Sequence, residues 1–124
     1  MQYVTTPGAQ GICPTNSHIP TDNDWKILEV QLGMTQAQAD VTNDWRGTTQ
    51  GTQMKPGGAS GLDILFAGTR SSGGSFSGLL TGTLFWTSSE SNTTAWIRNL
   101  SGYPTVYRTA YGKDGAWSIR CIAN

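Results

Sequence analysis

Two cysteines, Cys13 and Cys121, lie near opposite ends of the 124-residue chain. Such thiols could form a disulfide, hold a metal or act as nucleophiles, but no His/Cys spacing typical of a metal site surrounds them. We therefore predict a disulfide that closes nearly the whole chain into one loop, worth ~4–5 kcal/mol in the chain-entropy account. A bond of this kind indicates an oxidising compartment and an exported protein. The alternative is a pair of buried free thiols in a cytosolic protein.

The only histidine, His18, is the one side chain whose ordinary pKa suits general acid–base catalysis near neutral pH. A general base needs a nucleophile or a second partner, and the sequence singles out none. We predict a structural histidine near the disulfide. The glycine pairs at 57–58 and 73–74 lack the Lys-Ser/Thr of a phosphate loop. The sequence thus predicts no enzyme activity and no cofactor.

Calcium would need six to eight oxygen ligands, usually with several carboxylates among them. Glu90 and Asp114 could contribute to an ion site, but too few carboxylates cluster in the sequence, so we predict no metal site. The acidic-aromatic pieces Asn23-Asp24-Trp25 and Asn43-Asp44-Trp45 are interpreted as surface residues that flank helices.

A binding surface has better support in the sequence. Segments 94–100 and 105–111 alternate and flank Ser101-Gly102-Tyr103-Pro104, which predicts a β-hairpin. One face would pack Trp96 and Val106 on the core. The other would present a polar-aromatic set typical of a binding surface: Ile97, Asn99, Tyr107, Thr109 and Tyr111, with Tyr103 at the turn. The alternative is an ordinary solvated sheet face.

Helices are expected before these strands. Thr21 should cap a helix whose apolar stripe is Trp25, Leu28 and Leu32 and which ends at Gly33. Thr35 should begin a short helix over 36–41.

The remaining segments predict loops and strands. Residues 46–61 are expected to form a loop, 62–66 a strand, 68–78 a turn region, 83–87 a strand and 117–122 the last strand. Arg108 and Arg120 are predicted to donate hydrogen bonds to loop carbonyls. The order of helices followed by strands predicts an α+β fold.

The bulk composition narrows the class of protein. Charged residues are only 13% and the formal net charge is zero, so nothing indicates a nucleic-acid partner. No apolar run is long enough to span a membrane. We expect an extended lead-in over 1–10 and one domain over 11–124. Because residues 1–7 lack the features of a signal peptide, we expect this to be part of a longer surface protein.

Motifs in order along residues 11–122 resemble the bacterial Fibrobacter succinogenes major paralogous domain family. They are Gly11-Ile12-Cys13-Pro14, His18-Ile19-Pro20-Thr21, Trp25, Leu28, Leu32-Gly33, Gly68-Thr69-Arg70, Gly74-Ser75-Phe76, Phe85-Trp86-Thr87-Ser88-Ser89-Glu90, Ala95-Trp96, Val106-Tyr107-Arg108, Lys113 and Ser118-Ile119-Arg120-Cys121. The sequence departs from the family pattern at Asn16-Ser17, at 66–68 and over 35–50.

The resemblance implies a C-type-lectin-like fold related to formylglycine-generating enzymes, with the two chain ends meeting at the disulfide. It also implies an exported protein, in some relatives a target of diversity-generating retroelements. The first hypothesis is a non-catalytic recognition or adhesion module for an unknown protein or glycan. The second is a structural surface or pilus-associated subunit, and the third is a formylglycine-generating type of enzyme. Diversification, if present, would concentrate in residues 91–113.

Overall fold

A six-stranded sheet forms the centre of the structure, a computed structural model that describes residues 6–124. The elements in chain order are β1 (Ser17–His18), α1 (Asp22–Gln31), α2 (Gln36–Asp40), β2 (Asp44–Arg46), α3 (Gln50–Met54), β3 (Ala67–Arg70), β4 (Phe76–Leu79), β5 (Gly82–Ser91), β6 (Thr94–Ser101), β7 (Val106–Tyr111) and β8 (Ile122–Ala123). The predicted α+β class is confirmed. No helix among the described residues is long and apolar enough to cross a membrane.

Helices α1 and α2 begin where the sequence predicts. Thr21 accepts a hydrogen bond from the Asp24 amide while the Asp24 carboxylate accepts one from the Thr21 amide, which forms a capping box. Thr35 and Gln38 repeat the arrangement at α2. Gly33 has φ of +100°, a conformation that favours glycine, and follows the end of α1 as predicted.

The strands of the large sheet lie in the order β2-β7-β6-β5-β3-β4. All neighbours pair antiparallel except β3 and β5, which are parallel. Strands β6 and β7 form the predicted hairpin, and their register places Ile97 opposite Thr109 and Asn99 opposite Tyr107. The short strands β1 and β8 pair separately.

The inner face of the large sheet packs on the helices. Phe85, Leu100 and Val106 contribute side chains from the strands, and they meet buried residues from outside the sheet: Trp25, Met54 and Ile64. The outer face is also covered at its centre, where Trp86, Ala95 and Ile97 pack under Trp117 and Ile119. The central strands are therefore buried on both faces.

Buried charges tie α1 to the sheet. Arg98 is fully buried and donates from Nη1 to Asp22 Oδ1 at 2.7 Å and from Nε to Glu29 Oε1 at 2.7 Å. Arg46 Nη2 donates to the same Glu29 oxygen at 2.7 Å. Arg108 donates from Nε and Nη2 to Asp22 at 2.9 and 2.7 Å. Five charges from four elements thus pair with one another in the interior, and Arg46 Nε alone among their side-chain nitrogens has no hydrogen-bond partner in the described structure.

The backbone shares in this network. Arg108 Nη1 donates to the carbonyl of Asp40, the last residue of α2, at 3.0 Å and to that of Val41, which follows the helix, at 3.3 Å. The bond to Val41 confirms one predicted bond to a loop carbonyl. Arg120 makes no such bond among the described residues, so that prediction is not met there. Burial opposes ionisation of Asp22, but its hydrogen bonds from Arg108 and the charge of Arg98 lower its pKa to about 2.

The chain ends meet as expected. Cys13 and Cys121 form the predicted disulfide across a sequence separation of 108 residues. Next to it, β1 pairs with β8 so that His18 lies opposite Ile122. Ile19 and Ile119 pack against the disulfide, which leaves Cys13 buried and Cys121 half-buried.

Segment 62–66 is not the predicted strand. Ile64 is buried among the α1 and α3 side chains, and its amide donates to the Met54 carbonyl instead of to a neighbouring strand. Residues 68–78, predicted as a turn region, contain the paired strands β3 and β4. Gly68 has φ of +73°, and a Cβ there would lie 2.7 Å from the Ser77 carbonyl oxygen. Glycine therefore permits close strand pairing here rather than preventing it.

Three further predictions need correction. Residues 46–61 contain α3, because Gly51 lacks a Cβ that would clash with the Thr105 carbonyl and so lets this helix pack on the β6–β7 turn. Residues 117–122 form a single bridge at Ser118, opposite Phe85, before β8, not one continuous strand. The extended lead-in is wrong for its described part, since Ala9 donates to the Thr6 carbonyl in a turn, and residues 1–5 lie outside the described residues.

Candidate binding face

Three aromatic rings cluster at one end of the outer sheet face. The ring centroid of Trp45 lies 5.0 Å from that of Tyr103 and 5.3 Å from that of Tyr107. These are distances at which aromatic pairs attract beyond simple burial of area. We call Trp45, Asn99, Tyr103 and Tyr107 the aromatic face.

Strand pairing and one lysine hold the aromatic face in place. Trp45 lies directly opposite Tyr107 in the β2–β7 ladder, and Asn99 lies opposite Tyr107 in the β6–β7 ladder. Tyr103 belongs to the connecting turn, where its carbonyl accepts a hydrogen bond from Lys55 Nζ at 2.7 Å. Burial lowers the pKa of Lys55. The face is thus set by backbone pairing on rigid strands.

Accessibility makes this surface available to a ligand. Tyr103 is 61% exposed, and Trp45, Asn99 and Tyr107 are half-buried. Sequence reasoning missed Trp45, which was interpreted as a helix-flanking residue. It belongs to strand β2, whose three residues are too few to show a period of two.

Two members of the predicted set do not lie open on the surface. Ile97 is 0% exposed because Trp86 and the covering segment around Trp117 pack over it, so its placement on an open face is wrong. Thr109 is 7% exposed, and its hydroxyl donates to Asn43 Oδ1. The structure therefore leaves neither side chain free to reach a ligand.

Tyr111 stands apart from the aromatic face. It is 49% exposed and packs edge-on against Trp117 at 5.4 Å, and Trp117 in turn stacks on Trp86 at 4.1 Å. This second cluster lies at the opposite end of β7. The predicted set is thus split into an aromatic face around Tyr107 and a separate Tyr111 end.

Trp96 lies on the inner face, as the predicted alternation required. It is half-buried and not part of the apolar cluster; the Arg108 guanidinium carbon stands 4.0 Å from its ring centroid. This cation–π contact anchors the arginine that also binds Asp22.

His18 is held by two partners. Its Nδ1 lies 2.7 Å from Asn124 Oδ1 and its Nε2 lies 3.3 Å from Asp24 Oδ2. Burial opposes ionisation of Asp24, but hydrogen bonds from Thr21 and His18 lower its pKa. Among the described residues, no hydroxyl or thiol hydrogen-bonds to the imidazole. This geometry fastens the chain end to α1.

The two carboxylates considered for calcium lie apart from any acidic cluster. Glu90 forms an ion pair with Lys113 across the end of the sheet. Within residues 6–124, no group of three or more His, Cys, Asp or Glu side chains is placed to hold a metal ion.

A family model described as the Fibrobacter succinogenes major domain matches residues 2–123. No curated protein matches the chain, and no solved structure matches it.

Proposed function

The chain belongs to the Fibrobacter succinogenes major domain family, and on that premise we propose that it is a non-catalytic extracellular recognition module. It binds a protein or glycan ligand through the aromatic face. The observation that carries the proposal is the cluster of Trp45, Tyr103 and Tyr107 beside Asn99 at the open end of the outer sheet face, whose centre is covered.

The chemistry of this surface supports recognition. Tyrosine and tryptophan offer large, rigid, amphipathic contact area at low cost in conformational entropy, and asparagine offers adaptable hydrogen bonds. Aromatic rings also stack on the apolar faces of sugars as readily as on peptide side chains. Because Trp45 and Tyr107 stand on the paired strands β2 and β7, their positions are set before binding, and a ligand loses little affinity in ordering them.

The proposed compartment rests on the disulfide. A Cys13–Cys121 bond persists in oxidising surroundings, which favours export to the cell surface as part of a longer protein. The C-type-lectin-like form of the fold, with its terminal segments joined, belongs to this proposal. So does diversification of residues 91–113 by a retroelement, a range that contains three members of the aromatic face, Asn99, Tyr103 and Tyr107, but not Trp45.

A non-catalytic role is supported by the bonds that the two cysteines and the histidine make. The chain has two cysteines, and both are in the disulfide, so no thiol remains for chemistry of the formylglycine-generating type. The single imidazole is engaged by Asp24 and Asn124.

The test is a binding screen of the oxidised domain on glycan arrays and purified surface proteins, with calcium and with chelator. We expect a ligand whose binding is lost in Tyr103→Ala and Tyr107→Ala and unaffected by chelator. Phe76→Ala is the matched control, because Phe76 is an aromatic residue 81% exposed on the distant strand β4. Binding lost equally in the control, or retained in both tyrosine variants, would contradict the proposal.

The second candidate is a structural surface or pilus-associated subunit. It is favoured by Phe76, Leu79 and Leu80, three strongly exposed apolar residues on the edge strand β4 and its turn. This candidate predicts concentration-dependent self-association in sedimentation experiments, which Phe76→Ser would abolish. A monomer at all concentrations would remove it.

A further inference from the structure

An apolar groove runs along α1 and shares no residue with the aromatic face. Its volume is about 390 Å³, within the range of roughly 300–1,000 Å³ that small-molecule sites occupy. Ile27 and Leu28 form the helix wall, and Leu62, Ile64 and Ile122 form the facing wall. Ile27 is 54% exposed although it is a large apolar side chain in the middle of a helix.

The walls come from parts of the chain far apart in sequence. Helix residues 24, 27, 28 and 31 share one stripe, because side chains three and four apart lie on the same side of a helix. The C-terminal residues reach this stripe because His18 pairs with Ile122 and also contacts Asp24. The disulfide and the β1–β8 pair therefore hold the groove open as a fixed shape.

The rim carries one free cation and one satisfied anion. Arg120 has no hydrogen-bond or ion-pair partner among the described residues. Asp24, on the helix side, already accepts hydrogen bonds from the Thr21 amide and hydroxyl at 2.8 and 2.7 Å and contacts His18. Gln31, the third polar residue of the rim, is neutral. An anionic head group would thus find an available partner, whereas a cationic one would compete with the helix cap.

We infer that this groove binds a medium-chain aliphatic carboxylate, with the chain along the apolar walls and the carboxylate on Arg120. A guanidinium recognises a carboxylate through two parallel N–H···O bonds, which fixes the orientation of the ligand. The apolar walls contribute affinity but do not discriminate between aliphatic ligands of similar length. This site is separate from the aromatic face and does not depend on the proposed recognition function.

The experiment titrates the oxidised 124-residue chain with octanoate, octanol and octylamine and follows amide and indole resonances by NMR. We expect saturable shifts confined to the groove, including the indole of Trp25, which forms part of the wall. Octanoate should bind most tightly. No saturable shift, shifts outside the groove, or octylamine binding as tightly as octanoate would overturn the inference.

Two variants separate the head-group contact from the apolar contact. Arg120→Gln should weaken octanoate roughly tenfold and leave octanol unchanged, as expected for loss of one charge-assisted interaction. Ile27→Ser should weaken both ligands severalfold. Arg70→Gln, on β3 outside the groove, is the control and should change neither. Equal loss of octanoate and octanol in Arg120→Gln, or no loss of octanoate, would refute the role of this arginine.

Discussion

Asp22→Asn should remove the contribution that ionised Asp22 makes to the free energy of unfolding and that is lost at acid pH. The carboxylate is buried and accepts three hydrogen bonds, one from Arg98 and two from Arg108. Asparagine has nearly the same shape but no charge, and its amide group would face the arginines. At neutral pH we expect the variant to be less stable by roughly 3–5 kcal/mol, the usual cost of breaking one partner out of a buried ion pair.

The pKa of Asp22 gives a more specific prediction, for how the stability difference changes with pH. The pKa of Asp22 falls from 3.8 to about 2 on folding, which corresponds to about 2 kcal/mol of stability. Because the folded pKa is the lower one, this contribution is fully present above about pH 4 and is lost as the pH falls towards 2. The stability difference between wild type and Asp22→Asn should therefore shrink by about 2 kcal/mol between pH 5 and pH 1.

Urea unfolding followed by tryptophan fluorescence at intervals across this pH range gives the difference directly. Asp114→Asn, at an exposed loop carboxylate outside the buried network, is the matched control. A carboxyl-carbon NMR titration of the wild type should also give a midpoint near 2 for Asp22. A pH-independent difference between wild type and Asp22→Asn would refute the argument that these arginines hold the carboxylate ionised.

Three other perturbations test the remaining supports of the fold. Replacing Cys13 and Cys121 with serine should lower the free energy of unfolding by about 5 kcal/mol in the chain-entropy account for a 108-residue separation; an unchanged urea midpoint relative to the oxidised wild type would contradict it. Glu29→Gln should lower the free energy of unfolding by roughly 3–5 kcal/mol, because it leaves two buried arginines without their shared carboxylate. A melting temperature within a degree of wild type would count against that network. Gly68→Ala should destabilise by about 1–2 kcal/mol or more through its positive φ and the nearby Ser77 carbonyl, with Gly102→Ala, which has open space around it and no positive φ, as the thermal-melting control.

The sequence predicted the elements that depend on residues close together along the chain, such as capped helices and a hairpin. The caps at Thr21 and Thr35 need only residues three positions away, so both helix starts are predicted within one residue. The β6–β7 hairpin follows from alternation on either side of a turn, so its existence was predictable. The disulfide follows from the position of the only two cysteines.

Features that depend on distant segments were not predictable. Alternation placed Ile97 on the outer face, but whether that face is open depends on the segment around Trp117, which folds over it from elsewhere in the chain. The charges that satisfy Arg98 lie on α1, 69 and 76 residues earlier. Glycine content favoured a loop at 68–78, whereas the absence of a Cβ at Gly68 is what lets two strands come together.

The Cys13–Cys121 bond also determines how the domain responds to mechanical tension. A pull entering before residue 13 and leaving after residue 121 passes through the sulfur–sulfur bond, so the sheet between them bears no load. Reduction would transfer the same tension to the strands and, on rupture, release a tether of roughly 350–390 Å from the 108-residue separation. In its oxidised form the domain is a link of fixed length, with the aromatic face shielded from the force it transmits.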